Sequence, residues 1–125
     1  MSNRYIWIVD DESELSEIFR KNLSKRGYII ECYTCGEEVL QNLQHKKPDL
    51  IILDLMLPGI NGVEICKIIK RDPRICNIPV IMLTARSHEM DVINGFEAGA
   101  DDYITKPFNI RILEARIKAI FDREE

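Results

Sequence analysis

The sequence predicts an α/β fold with a parallel sheet, because short apolar runs and amphipathic stretches alternate along its 125 residues. Five runs rich in strand-forming residues each precede a stretch whose apolar residues recur at helical spacing. Such alternation favours a doubly wound, five-stranded parallel sheet with five helices on both faces and right-handed crossovers. No repeat or linker-like segment divides residues 1–125, so they are predicted to form one domain.

The first half of the chain is predicted to contain three strands and two helices. Residues 5–9 form the first strand, and from Ser13 the apolar period becomes that of a helix, which Gly27 can end. The second strand covers residues 28–33, and Thr34 with Glu37 fits a capping box for the second helix. The apolar residues at helical spacing in these two helices are Leu15, Ile18, Phe19, Leu23, Val39, Leu40 and Leu43. Residues 50–53 are all apolar, which predicts a third strand buried on both faces.

The second half repeats the alternation after a loop rich in Pro, Gly and Asn. A third helix ends near Asp72, residues 79–83 form the fourth strand, and a fourth helix ends at Gly99. Residues 103–105 form a short fifth strand, and Asn109 can cap the last helix. The apolar residues assigned to these helices are Val63, Cys66, Ile69, Met90, Val92, Ile93, Phe96, Ile110, Leu113, Ile117, Ile120 and Phe121, with Ile65 as a further candidate in the third helix.

Composition excludes several classes of function. With 46% hydrophobic and 30% charged residues and a net charge of −4, the chain is globular and is not expected to bind nucleic acid by itself. No apolar run approaches the roughly 20 residues of a membrane span, and no signal-peptide pattern opens the chain, so a cytoplasmic location is predicted.

The cysteines are predicted to be reduced thiols. Cys32 and Cys35 form a C-x-x-C pair, which suits a redox pair or half of a metal site. Zinc needs four ligands, however, and the remaining Cys and His residues show no matching spacing.

Polar residues stand where the predicted strands end. Asp10 and Asp11 follow the first strand, Asp54 ends the third, Thr84 ends the fourth and Lys106 follows the fifth. Ligands of open α/β sheets bind outside the carboxyl ends of the strands, so these side chains are expected to meet there. Carboxylates packed together repel one another, so at least one carboxyl pKa should rise unless cations intervene. Carboxylate oxygens suit Mg²⁺, and a carboxylate nucleophile with Mg²⁺, a lysine and a hydroxyl can accept a phosphoryl group as an acyl phosphate.

Four motifs give the chain a resemblance to a known family over nearly its whole length. They are Asp10-Asp11-Glu12, Asp54 within Leu-Asp-Leu-Met-Leu-Pro-Gly, Thr84-Ala85-Arg86, and the run from Gly99 to Phe108. Together and in this order they resemble the receiver domain of two-component response regulators. The resemblance implies a CheY-like fold with strand order 2-1-3-4-5.

The resemblance also implies roles for individual residues. Asp54 would accept a phosphoryl group from a phosphohistidine of a sensor histidine kinase. Mg²⁺ would be bound by Asp11, Asp54 and the main-chain carbonyl of Met56, with Asp10 acting through water. Lys106 would pair with Asp54 and then with the phosphate, while Thr84 and Tyr103 would form a switch. Such a protein is a signalling switch, and it takes part only in its own phosphorylation and slow dephosphorylation.

The last third of the chain resembles the OmpR/PhoB subfamily of transcription regulators. In that subfamily the fourth helix, fifth strand and fifth helix form a two-fold dimer face after phosphorylation. The matching positions here are Val92, Asp101, Asp102, Ile112 and Arg116. Val92 replaces a basic residue and Ile112 an acidic one, which leaves two interpretations: an apolar contact across the dimer, or separate packing without a dimer. The resemblance allows a DNA-binding effector domain beyond residue 125.

Three other interpretations fit the sequence less well. An Asp-x-Asp phosphatase fails because Met56 stands where the second Asp would be. A dinucleotide-binding fold lacks the glycine-rich fingerprint after the first strand. A degenerate receiver that switches without phosphate is disfavoured by the complete set of acidic residues with Thr84 and Lys106.

Overall fold

The fold is a single parallel sheet with helices on both faces. The computed structural model describes residues 3–85, 93, 97–106 and 109–124. Its strands are β1 (Tyr5–Val9), β2 (Ile29–Tyr33), β3 (Leu50–Asp54), β4 (Val80–Ala85) and β5 (Asp102–Lys106). All neighbouring strands pair in parallel, in the order β2-β1-β3-β4-β5. The predicted fold and strand order are therefore confirmed.

Four helices lie within the described residues. They are α1 (Ser13–Ser24), α2 (Gly36–Asn42), α3 (Gly62–Arg71) and the C-terminal helix (Ile110–Arg123). The predicted fourth helix falls mostly outside the described residues, although Ile93 and Glu97 are both helical. Among the described residues, none of these helices combines the length and the apolarity needed to cross a membrane.

Two hydrophobic cores lie on opposite faces of the sheet. Alternate strand residues point to opposite faces, so β1 sends Trp7 towards α2 and α3, and Ile8 towards α1 and the C-terminal helix. All five residues of β3 are buried, as the run of apolar residues predicted. Helices cover both faces of this central strand, and its last residue, Asp54, lies at the carboxyl end of the sheet.

The structure corrects two details of the helix predictions. The capping box of Thr34 and Glu37 is wrong: α2 begins one residue later, and Thr34 instead contacts Glu38, with its amide nitrogen 3.4 Å from Oε1. Ile18 shares the helical spacing of Phe19 and Leu23 but is 52% exposed, because it lies at the margin of the buried stripe of α1. Asn109 caps the C-terminal helix as predicted, since its Oδ1 accepts a hydrogen bond from the amide of Arg111.

Candidate functional site

The carboxyl edge of the sheet collects the polar residues that the sequence places at strand ends. Asp10 directly follows β1, and Asp54 is the last residue of β3. Thr84 is the second-last residue of β4, and Lys106 is the last residue of β5. Thr84 is in register with Thr105, and Ala85 with Lys106. Asp10, Asp54 and Thr84 are all buried. Parallel pairing brings these residues to one edge because every strand runs in the same direction.

The centre of the site is an ion pair between Asp54 and Lys106. The Lys106 ammonium donates to Oδ2 of Asp54 at 2.9 Å, and the Asp54 residue is only 2% exposed. The other carboxylate oxygen, Oδ1, accepts a hydrogen bond from the amide of Met56 at 3.0 Å. Burial alone would lower the pKa of Lys106, but its hydrogen bond to Asp54 and the charges of the surrounding carboxylates outweigh this and raise it. Lys106 is therefore held as a cation against the carboxylate.

Asp10 is the second buried carboxylate. Its Oδ1 accepts a hydrogen bond from the amide of Glu12 at 2.8 Å, whereas its buried Oδ2 has no hydrogen-bond partner among the described residues. Burial raises the pKa of Asp10 to about 6, although the hydrogen bond from the Glu12 amide lowers it. The charge of Asp54 raises this pKa further, by less than burial does. The expected rise of a carboxyl pKa is thus confirmed, but desolvation contributes more to it than repulsion between the acids.

Carboxylate oxygens of Asp10, Asp11 and Glu12 converge within 4.8 Å of one another. Such a donor set suits a hard divalent cation, which binds oxygen ligands and keeps several waters. The buried Oδ2 of Asp10 supports this fit, because a polar atom sealed from water is costly unless a partner satisfies it. The residues present therefore fit Mg²⁺.

Glu12 belongs to this site although the sequence interpretation gave it no role. Its Oε1 lies 3.7 Å from the Lys106 ammonium, a little closer than Oδ2 of Asp10 at 3.9 Å. Glu12 is also the N-cap residue of α1, and its side chain makes no capping hydrogen bond. The sequence signal was a third acid directly after two others, at a position where a helix usually begins with a capping side chain.

The loop after β3 is held close to Asp54 by the start of α3. The amide of Gly62 donates to the carbonyl of Leu55 at 3.0 Å. A Cβ at Gly62 would lie 2.6 Å from the main-chain oxygen of Asp54 and 2.8 Å from Cα of Leu55. Only glycine permits this approach, so Gly62 contributes to the geometry of the site as well as to the turn.

Tyr103, the second residue of β5, lies in the core. It is part of the core on the α2 and α3 face of the sheet and is 9% exposed. Its amide donates to Oδ1 of Asp102 at 2.8 Å.

The charged residues expected on a dimer face are paired within the chain. Arg116 donates to both carboxylate oxygens of Asp102, at 2.8 and 3.0 Å, while Asp101 accepts a hydrogen bond from Lys70. Ile112 is 50% exposed. Val92 lies outside the described residues.

All four cysteines are free thiols, as predicted. The thiol of Cys32 contacts the carbonyl of Ser16 on α1, whereas the thiol of Cys35 contacts Glu38 on α2. These two helices cover opposite faces of the sheet, which argues against a redox pair.

Comparisons with known proteins agree on one family. A family model described as the response regulator receiver domain matches residues 6–118. The alkaline phosphatase synthesis transcriptional regulatory protein PhoP of Bacillus subtilis (strain 168) is 44% identical over 123 residues, which cover 98% of this chain and 50% of that protein. The phosphate regulon transcriptional regulatory protein PhoB of Rhizobium meliloti (strain 1021) is 43% identical over 118 residues, covering 94% of this chain and 52% of that protein.

A solved structure shows the same likeness in shape. It is the response regulator DrrB, an OmpR/PhoB homologue of Thermotoga maritima, with a TM-score of 0.87 and 38% sequence identity. The match covers 99% of this chain and 55% of DrrB. This chain thus spans about half the length of the curated relatives it matches, at 50% and 52%.

Proposed function

This chain belongs to the response regulator receiver family, and we propose that it is the phosphoacceptor switch of a two-component system. Asp54 takes a phosphoryl group from a phosphohistidine of a sensor histidine kinase. The observation that carries this proposal is the buried Asp54 carboxylate, held by Lys106 at 2.9 Å at the carboxyl edge of the sheet. A buried ion pair is seldom retained for stability alone, which favours a chemical role.

The reaction needs a nucleophile whose oxygens are held in place. One carboxylate oxygen of Asp54 attacks phosphorus, an O–P bond forms, and the P–N bond breaks with its electron pair returning to the imidazole. The Met56 amide and the Lys106 ammonium orient the two oxygens of Asp54, at 3.0 and 2.9 Å. The cation of Lys106 then pairs with the phosphoryl oxygens, whose added charge it offsets.

Mg²⁺ would be held by Asp11, Asp54 and the main-chain carbonyl of Met56, with Asp10 acting through a water molecule. When bound, it supplies positive charge that offsets repulsion between the phosphoryl oxygens and the carboxylates. Glu12 lies within the same group of oxygens and can contribute a further water-mediated contact.

The response to phosphorylation is proposed to pass through Thr84 and Tyr103. The Thr84 hydroxyl donates to a phosphoryl oxygen, and Tyr103 follows the movement of β4 and β5. A phosphoryl group shifts the conformational equilibrium only by the difference between its contacts in the two states. Thr84 and Lys106, near the ends of β4 and β5, are placed to supply that difference.

The output is proposed to be a phosphorylation-dependent homodimer. Its face consists of the fourth helix, β5 and the C-terminal helix, with Val92, Asp101, Asp102, Ile112 and Arg116. Exposure of Ile112 supports an apolar contact there, flanked by the ion pair of Asp102 and Arg116. We further propose a cytoplasmic regulator of transcription that contacts DNA through a separate effector domain, because both curated relatives are transcriptional regulators about twice as long.

Phosphorylation by a small acyl phosphate tests the proposed function directly. The wild-type protein, incubated with acetyl phosphate and Mg²⁺, is expected to gain one phosphoryl group in its intact mass. Asp54→Asn is expected to gain none, because an amide is a poor nucleophile and cannot form the acyl phosphate.

The matched control is Asp122→Asn, which changes an exposed aspartate whose ion pair with Lys118 lies on the C-terminal helix. It should be phosphorylated like the wild type. If Asp54→Asn is labelled as fast as Asp122→Asn, the phosphoacceptor is another residue and the proposed function is wrong.

A further inference from the structure

A second polar cluster lies at the amino end of β4, far along that strand from Thr84. Its centre is the ammonium of Lys70, near the end of α3. This ammonium donates to the carbonyl of Ile78 at 2.7 Å, to Oδ2 of Asp101 at 3.1 Å and to the carbonyl of Cys76 at 3.3 Å. A lysine ammonium has three donors, so these three acceptors use all of them.

Asp101 joins this cluster to the sheet. Its Oδ2 also accepts a hydrogen bond from the amide of Val80 at 2.8 Å, and its own amide donates to the carbonyl of Val80 at 2.8 Å. Val80 is the first residue of β4, and Asp101 directly precedes β5. Lys70 and Asp101 therefore fasten the start of β5 to the start of β4 and to the connection after α3.

The main chain is shaped to admit the lysine. Gly99 has a φ of 103°, and a Cβ at this position would lie 2.9 Å from Cγ of Lys70. The Lys70 side chain is only 17% exposed, and its charge contacts two main-chain carbonyls in addition to Asp101. This is more than an exposed surface ion pair, which typically contributes little because water screens it.

Both hydrogen bonds to the Asp101 carboxylate are made to the same oxygen, Oδ2. The side chain as a whole remains 39% exposed, and no hydrogen bond to Oδ1 is found among the described residues. The next residue, Asp102, holds Arg116 of the C-terminal helix. Lys70 thus holds Asp101, and Arg116 holds the adjacent Asp102, on the proposed dimer face.

We propose that Lys70 is a positioning residue for dimerisation: by holding Asp101 against β4, it prearranges the carboxylate that meets a cation of a second copy of this chain. This inference rests on the proposed function, since it concerns the dimer formed after phosphorylation. Fixing an acceptor before association removes part of the entropy cost of ordering it at the interface.

Lys70→Met tests this role, because methionine keeps an unbranched side chain beside Gly99 and removes the ammonium. With beryllium trifluoride and Mg²⁺ as a stable mimic of the phosphoryl group, sedimentation should show about tenfold weaker dimerisation. In the monomer without the mimic, the Val80 amide should exchange with solvent about tenfold faster, because its acceptor is no longer held.

Two further variants separate positioning from general effects. Lys67→Met removes the same charge from the same helix, at a residue that pairs with Glu64 instead of Asp101, and should dimerise like the wild type. Asp101→Asn keeps an oxygen for the Val80 amide, and adding Lys70→Met to it should cause no further loss, since Lys70 acts through Asp101.

The outcomes distinguish the inference from the proposed function. Unchanged or tighter dimerisation of Lys70→Met, an equal loss in Lys67→Met, or additive losses in the double variant would each refute the positioning role alone. A wild-type protein that remains monomeric with beryllium trifluoride refutes both the proposed dimer and this inference.

Discussion

Lys106 makes it possible for two buried carboxylates to share one edge of the sheet. It contacts Asp54 at 2.9 Å and lies 3.9 Å from Asp10, both of which are buried. In buffer without divalent metal, Lys106→Met should therefore lower the free energy of unfolding by about 2 kcal/mol. Breaking a fully buried pair costs more, roughly 3–5 kcal/mol, but Lys106 is partly exposed and water screens the charges. Urea denaturation measures this loss.

The control for Lys106→Met is Lys118→Met, which should leave stability unchanged. It removes an exposed cation whose partner, Asp122, lies on the C-terminal helix with it. Asp54→Asn combined with Lys106→Met should recover part of the loss, because the orphaned charge is then gone. If the double variant is less stable than Lys106→Met alone, the charge of Asp54 is not the cause.

The buried thiol of Cys66 should make the free energy of unfolding change with pH in the alkaline range. Burial raises the pKa of Cys66 from 9.0 to about 11, so the folded protein keeps its proton longer than the unfolded chain does. Below pH 9 the thiol is protonated in both states and has no effect. Between pH 9 and about 11 the unfolded chain loses the proton first, so stability should fall as pH rises. Urea unfolding at pH 8 and 10 should show a smaller pH-dependent loss for Cys66→Ala than for Cys76→Ala, whose thiol is partly exposed.

At the scale of residues, the sequence predicted contacts between strand ends better than contacts made by long side chains. Asp54 and Lys106 each end a strand, and parallel topology alone brings them to one edge. Glu12 approaches Lys106, and Lys70 binds Asp101, through side chains whose reach depends on where helices sit against the sheet. Apolar periodicity describes which face of a helix is buried and contains no information on such distances.

Helix α3 depends on a close approach that the sequence signalled only as a turn. Alanine is normally better than glycine in a helix by about 1 kcal/mol, so Gly62→Ala would stabilise the protein if space allowed. The new Cβ would instead lie 2.6 Å from a main-chain oxygen of Asp54, and neither main chain can yield cheaply. We expect the free energy of unfolding to fall by about 2 kcal/mol, and phosphorylation of Asp54 by acetyl phosphate to slow as the loop shifts.

Gly27→Ala provides the comparison for Gly62. Gly27 has a φ of 91°, and no atom of the described residues lies within 4 Å of an added Cβ, so the cost is backbone strain of about 1 kcal/mol. This substitution should lower stability without slowing phosphorylation, because Gly27 lies in the turn between α1 and β2. Equal phosphorylation rates in the two variants would show that the start of α3 does not position Asp54.

The sequence predicted the presence of α2 but not the residue at which it begins. A capping box at Thr34 and Glu37 fitted the sequence pattern, but the helix begins at Gly36. A Cβ at Gly36 would lie 2.1 Å from Cδ1 of Ile65, which shows how closely α2 packs on α3. This contact between α2 and α3 lies outside what local capping preferences can predict.

At the scale of the whole molecule, folding brings together acids that are far apart in the sequence. Asp10 and Asp11 come from the end of β1 and Asp54 from the end of β3, and the unfolded chain does not hold them as one site. A cation that binds this site therefore binds the folded state preferentially and stabilises it. Mg²⁺ at about ten times its dissociation constant should add about 1.4 kcal/mol, which raises the melting temperature by roughly 5 °C for a domain of this size.

Two aspartate variants identify the source of that stabilisation. Asp11→Asn removes a proposed ligand and should abolish most of the increase, whereas Asp72→Asn changes an aspartate in the turn after α3 and should keep it. Asp10→Asn separates repulsion from ligation, because removing a buried charge with a raised pKa should stabilise the metal-free protein and weaken its response to Mg²⁺. A melting temperature that rises equally with Mg²⁺ in the wild type and in Asp11→Asn would place the cation elsewhere. The carboxylates at the carboxyl edge would then lack the metal proposed to assist phosphoryl transfer to Asp54.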